Sequence, residues 1–156
     1  MVEPLHGADR SEGVSAESGV VEVLLRYAEA IDTKNWDMLV SCFTESANFV
    51  ATGLDLQGRG AISRFMQKSH VELDGSRHRL TNIRVVPGET DRTARATSYL
   101  DALLVRQGSP GGNTFQVIGT YHDSLTRDGS GWRISDRRFQ RLWTSGDASI
   151  LSPIGE

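Results

Sequence analysis

The chain has 156 residues, 38% of them hydrophobic and 24% charged, with a formal net charge of -3. That fits one globular domain and supplies no excess of cations for a nucleic-acid backbone. The longest apolar run, Val20 to Leu25 interrupted by Glu22, falls far short of the roughly 20 residues of a membrane span. The single cysteine, Cys42, excludes an intrachain disulfide and a thiolate metal cluster.

Residues 1–16 are rich in Gly, Ser, Glu and Asp and read as a flexible arm. Their start lacks the basic region and apolar core of a signal peptide, so a cytoplasmic setting is expected. The first helix is expected from Glu17 to Ile31, capped by Ser18. Val20, Val21, Leu24, Tyr27, Ala28 and Ile31 make one apolar stripe at helical spacing. A shorter helix over Trp36–Phe43 follows, then a strand over Asn48–Thr52 that leads into a glycine turn. A third helix is expected over Gly60–Ser69, with Ile62, Phe65 and Met66 on its apolar side.

The second half changes character. His78–Val86, Arg92–Arg106, Thr114–Arg127 and Trp132–Trp143 are long and rich in β-branched and aromatic residues. Clusters of Pro, Gly, Asp and Asn separate them, which are hairpin signals. Helices first and a meander afterwards predict an α+β domain over residues 17–145. Its strongly curved antiparallel sheet would carry three helices across the concave face and enclose a pocket. Residues 146–156 would form a tail whose Ile150, Leu151 and Ile154 dock on the domain or on a neighbouring subunit.

Asp32 ends the first helix, where a carboxylate meets the unfavourable end of the macrodipole. It is either a functional group or a solvated turn residue. His78 opens the first long strand, and strict alternation groups it with Leu80 and Asn82. It is either a proton acceptor held by a carboxylate or a strand histidine without a role. His6, His70 and His122 compete with it; His70, at a helix end, reads as solvated. Of Tyr121 and His122, only one can face inward. Arg137 and Arg138 are adjacent in the last strand, so one of them points inward, to pair with Asp32 or to stabilise negative charge on a leaving group. Asp101 lies mid-strand with Tyr99 on its face, either as a second acid or facing water. Cys42 reads as a small buried apolar residue.

Four stretches together resemble the SnoaL-like branch of the nuclear-transport-factor-like, cystatin-like cone fold. They are Arg26–Asp37, His78–Asn82, Gly119–Asp123 and Gly131–Arg137. Within it the layout is similar to the scytalone dehydratase and hexachlorocyclohexane dehydrochlorinase groups. That resemblance implies a cofactor-free and metal-free acid–base enzyme with a pair formed by Asp32 and His78. It maps the dehydrochlorinase arginine onto Arg137. The dehydrochlorinase lysine one turn before the aspartate is replaced by Tyr27, which argues against halide elimination. The dehydratase tyrosine directly before the aspartate is replaced by Ile31. The expected activity is therefore a lyase of the dehydratase type acting on a small apolar, aromatic or polyketide-like molecule. His78, Asp32, Arg137 and Tyr27 would be catalytic. Trp36, Phe49, Phe65, Met66, Tyr99, Asp101 and Tyr121 would line the pocket. Epoxide hydrolysis or cyclisation with Asp101 as the second acid, and a binding or assembly module, stay open. A homo-oligomer, dimer or trimer, is expected through the outer sheet face. The 15 arginines against 2 lysines suit a bacterial setting of secondary metabolism or catabolism.

Overall fold

The structure is a computed structural model that describes residues 10–151, with side chains from Ala16 onward. Helix α1 spans Arg10–Asp32 and α2 spans Trp36–Ser41; strands β1, Phe43–Ala51, and β2, Leu54–Gln57, form a hairpin before helix α3, Arg59–His70. The meander follows as β3 (Gly75–Pro87), β4 (Thr93–Val105), β5 (Thr114–Asp128) and β6 (Gly131–Gly146). The domain is α+β, with a curved but unclosed sheet.

Helix α1 begins at Arg10, inside the stretch read as an arm, so Ser18 lies mid-helix and caps nothing. Residues 1–9 of that arm and 152–156 of the tail lie outside the described residues. The expected apolar stripe is present: Val20, Leu24, Tyr27 and Ile31 are buried, joined by Val23 and Ala30. Gly19 lets the helix approach β6, because a Cβ there would stand 2.7 Å from Trp132 Cδ1. The helix closes with a Schellman motif: Asn35 N donates to Ala30 O at 2.8 Å and Lys34 N to Ile31 O at 3.0 Å. Lys34 takes the left-handed conformation this requires, at φ 55°. Asn35 then caps α2, its side chain accepting from Met38 N at 3.0 Å.

The sheet order is β2-β1-β6-β5-β4-β3. The β1–β6 pairing is parallel, so the sheet is mixed rather than wholly antiparallel. Hairpin signals read consecutive pairings, and this one joins strands far apart in the chain. Residues 43–47, read as loop or helix, belong to β1, and β2 is too short to leave a periodic signal.

A bulge between Thr81 and Arg84 shifts the β3 register. Asn82 adopts φ 52° there, which asparagine tolerates better than most residues. The bulge changes the alternation: Leu80 and Ile83 pack on the core while Asn82 is exposed, so Asn82 does not share the face of His78. The inner face, covered by the helices, carries Ser76, His78 and Leu80 of β3. It also carries Ala96, Ser98, Leu100 and Ala102 of β4, Tyr121 and Asp123 of β5, and Ile134 and Arg137 of β6. Ile150 of the tail is fully buried against Leu73, Leu104 and Phe115, so this part of the tail docks on its own domain. Among the described residues, no helix is long and apolar enough to cross a membrane.

Candidate active site

Asp32 is the last residue of α1 and points across to the start of β3. Its Oδ1 lies 2.7 Å from His78 Nδ1. The same carboxylate accepts from Ser76 Oγ at 2.8 Å and from the His78 backbone N–H at 2.9 Å. These donors supply the compensation that the helix end withholds. Burial alone would raise the Asp32 pKa, but the hydrogen bonds from His78 and Ser76 outweigh it and hold the carboxyl below its usual range. An ionised carboxylate at Nδ1 fixes the proton there, which leaves Nε2 of His78 as the bare lone pair. The His78 side chain is 7% exposed and that of Asp32 15%.

A second pair lies on β5 and β6 of the same inner face. Arg137 Nε donates to Asp123 Oδ1 at 2.7 Å and Arg137 Nη2 to Asp123 Oδ2 at 2.9 Å. Both side chains are fully buried. Of the two adjacent arginines, Arg137 is therefore the inward one, but its partner is Asp123 rather than Asp32. The guanidinium carbon lies 4.2 Å from the Tyr27 ring centre and 3.8 Å from that of Tyr121, a cation–π sandwich. Burial would lower the Arg137 pKa, but Asp123 reverses this and raises it. Burial also raises the Tyr27 and Tyr121 pKa values, so both phenols are neutral at ordinary pH. Tyr27 meets Phe43 edge-on at 5.7 Å and Tyr121 at 6.0 Å.

Trp36, Phe49, Phe65, Met66 and Tyr121 share one apolar cluster with Tyr27. Tyr99 and Asp101 do not join them. Their β4 positions alternate with buried Ser98, Leu100 and Ala102, which turns them to the outer face. Tyr99 is 55% exposed. Asp101 accepts from Gln116 Nε2 at 2.8 Å and Arg79 Nη2 at 3.1 Å, which lower its pKa in that order. Neither residue lines the interior, and a role for Asp101 as second acid there is lost.

His70 also departs from expectation, being 6% exposed rather than solvated. Its ring centre stands 5.8 Å from that of His78. A helix end looks exposed in sequence, and only the tertiary packing that brings His78 beside it reveals otherwise. Asp123 was equally missed, although alternation from inward Tyr121 places it on the same face. His122 faces outward, near Gln140. Cys42 is buried and its thiol is pushed up to about 11 by burial, which fits its apolar reading.

Two open concavities lie away from this site. One, of about 460 Å³, is lined by residues that include Arg84, Arg95, His122 and Arg138; the other, of about 350 Å³, flanks Asp74, Arg77 and Gln107. His78 and Asp32 line neither. Inside the cone, His70 Nε2, Ser98 Oγ and Arg137 Nη1 are buried polar atoms with no hydrogen-bond partner among the described residues. Native interiors rarely leave such atoms unsatisfied.

The SnoaL-like domain family matches residues 12–138. The chain belongs to this family. Its fold is the nuclear-transport-factor-like, cystatin-like fold that the resemblance implied. A candidate aromatic ring hydroxylase from Novosphingobium aromaticivorans is 25% identical, with a TM-score of 0.78 over 88% of this chain and 96% of that one. A candidate scytalone dehydratase from the same organism is 17% identical, with a TM-score of 0.80 over 93% and 97%. A type 2 hexachlorocyclohexane dehydrochlorinase is 14% identical, with a TM-score of 0.77 over 93% and 98%. At such identities the last two show a shared fold. No curated protein matches the chain.

Proposed function

We propose that this SnoaL-like protein is a cofactor-independent lyase of the dehydratase type. The observation that carries the reading is the 2.7 Å contact between His78 Nδ1 and Asp32. It leaves one imidazole nitrogen unprotonated, on the sheet face that also carries the aromatic and aliphatic core. His78 Nε2 removes a proton from carbon next to a carbonyl or aromatic ring. Asp32 orients the imidazole and stabilises its charged form. The electron pair left on carbon forms the new double bond as the hydroxyl departs, and the imidazolium returns its proton to that oxygen. The neutral Tyr27 phenol and the spare Arg137 Nη1 donor are the groups that support negative charge as it develops. Trp36, Phe49, Phe65, Met66 and Tyr121 exclude water around the substrate. That substrate is a small apolar, aromatic or polyketide-like molecule with an acidic C–H and a hydroxyl one carbon further on.

With Asp101 on the outer face, water activation by a second acid has no support here, so elimination ranks ahead of epoxide opening. Exposed Tyr99 and Trp143 on the outer side of the sheet support a homo-oligomer. The deciding experiment follows hydrogen–deuterium exchange and loss of water by NMR for a panel of β-hydroxy aryl ketones. His78→Ala and Asp32→Asn should each remove both signals while the fold persists. Wild-type rates in both variants would dismiss the mechanism.

A further inference from the structure

His70 closes α3 with its ring inside the domain, beside His78. Its Nδ1 lies 2.9 Å from the Met66 carbonyl oxygen, and a carbonyl can only accept. The proton of a neutral His70 therefore sits on Nδ1. Ser69 Oγ donates to the same carbonyl at 3.1 Å and stands 2.9 Å from Nδ1, so the whole polar cluster faces away from the opposite ring nitrogen. That nitrogen, Nε2, is a buried lone pair with no partner among the described residues.

His78 cannot satisfy it. The Asp32 contact places the His78 proton on Nδ1 as well, so of the two rings, 5.8 Å apart between centres and tilted by 35°, neither has a proton on Nε2 to give the other. No donor among the described residues reaches it. We propose that His70 Nε2 accepts a hydrogen bond from a substrate hydroxyl that the reaction retains, which selects hydroxylated aryl ketones over their ethers. This rests on the reading of His78 as the place where the substrate loses its proton.

The two imidazoles divide the work by what holds their Nδ1. A carboxylate behind His78 makes Nε2 a base. A neutral carbonyl behind His70 gives no charge to stabilise an imidazolium, and burial, with the His78 charge next, lowers its pKa to about 4. A group of that kind cannot protonate a departing oxygen near neutral pH. It therefore serves a spectator hydroxyl and fixes which carbon is presented to His78. His70 is a specificity residue rather than the acid or the base.

The test uses 6-hydroxy-1-tetralone and its methyl ether, 6-methoxy-1-tetralone, with the whole chain. Calorimetry should show the hydroxy compound binding more tightly, on the order of two- to tenfold for one hydrogen bond. His70→Phe should erase that preference, and His70→Gln, which keeps an acceptor, should restore part of it. Exchange at the carbon beside the carbonyl should change in KM more than in kcat. For wild type alone, ¹⁵N NMR should show a bare His70 Nε2 that becomes shielded on adding the hydroxy compound but not the ether. Equal binding of the two ketones, binding of neither, a preference that survives His70→Phe, or an Nε2 signal indifferent to the hydroxyl overturns the proposal. If the preference holds while His78→Ala leaves exchange untouched, the hydroxyl site stands and the elimination reading falls.

Discussion

Two carboxylates are paired inside this domain, and they are built differently. Asp123 meets Arg137 through two parallel hydrogen bonds at 2.7 and 2.9 Å, with both side chains wholly buried. Asp32 meets His78 through one ring contact at 2.7 Å, and its remaining acceptor capacity goes to the backbone of His78 and the Ser76 hydroxyl. The first pair joins a permanent cation to its counter-ion between two aromatic faces, so no proton moves near neutral pH. The second joins a carboxylate to an imidazole through Nδ1 alone, and leaves its far nitrogen without a partner among the described residues. One pair holds β5 to β6; the other holds α1 to β3 and is equipped to react.

Breaking the first pair tests this division most severely. Asp123→Ala leaves a guanidinium buried without a counter-charge. Removal of one partner from such a pair costs about 3–5 kcal/mol, a large share of the stability of a domain this size. Thermal denaturation should show a sharply lowered midpoint or no folded protein. A midpoint close to that of wild type would mean the interior is far wetter than the full burial of Arg137 implies.

For the second pair the pattern should invert. His78→Ala should lower turnover about 10²–10⁴-fold, the usual contribution of a positioned base, with a modest change in midpoint. Asp32→Asn should follow it in turnover, and the double variant should be scarcely worse than either, because the two residues act as a unit. Additive losses in that cycle would separate them.

Much of this was readable beforehand, and the parts that were not share a cause. Asp32 stood out because a carboxylate ending a helix breaks a local electrostatic rule. His78 was tied to it by family resemblance, and the packing of Ile62, Phe65 and Met66 on the core followed from helical periodicity. What sequence left open was which groups face each other. Arg137 beside Arg138 fixes that one points inward, but the partner depends on the register that sets Asp123 opposite Arg137. His70 looked solvated because nothing local announces that the end of α3 is packed inside the domain beside His78. Asp101 and Tyr99 belonged to a strand face whose side was undecided until Ser98, Leu100 and Ala102 proved to be the buried set. The parallel β1–β6 contact has no local signature at all.

The two histidines sharpen the comparison through pH. The His70 pKa is lowered to about 4, first by burial and then by the neighbouring His78 charge, with Lys34 acting the same way and Asp32 opposing. In the unfolded chain it titrates near its ordinary value of about 6.5. Between those limits the unfolded state binds a proton that the folded state refuses. Stability therefore falls as pH drops from about 6.5 to about 4, by on the order of 3 kcal/mol at the lower end. Asp32, with its pKa lowered, contributes in another window: its stabilisation is complete above about pH 4 and fades only below it. Denaturation midpoints measured across pH 4–7 should show the first slope in wild type and a flatter one in His70→Phe. An unchanged slope in that variant would assign the acid sensitivity elsewhere.

The smallest effect belongs to the outer face. Asp101 lies in a strand as Asp123 does, and accepts two hydrogen bonds as Asp123 does, yet it looks outward. Its arginine, Arg79, has a side chain that is 53% exposed, against none for Arg137. Solvent screens such a pair, and exposed ion pairs contribute about 0–1 kcal/mol. Asp101→Asn should therefore shift the midpoint barely, and more at low salt than at high salt. It should also leave turnover unchanged within experimental scatter, since its carboxylate has the sheet itself between it and His78. A loss of activity comparable to that of Asp32→Asn would mean that the outer face takes part in catalysis. The contrast between the inward and outward carboxylates would then collapse.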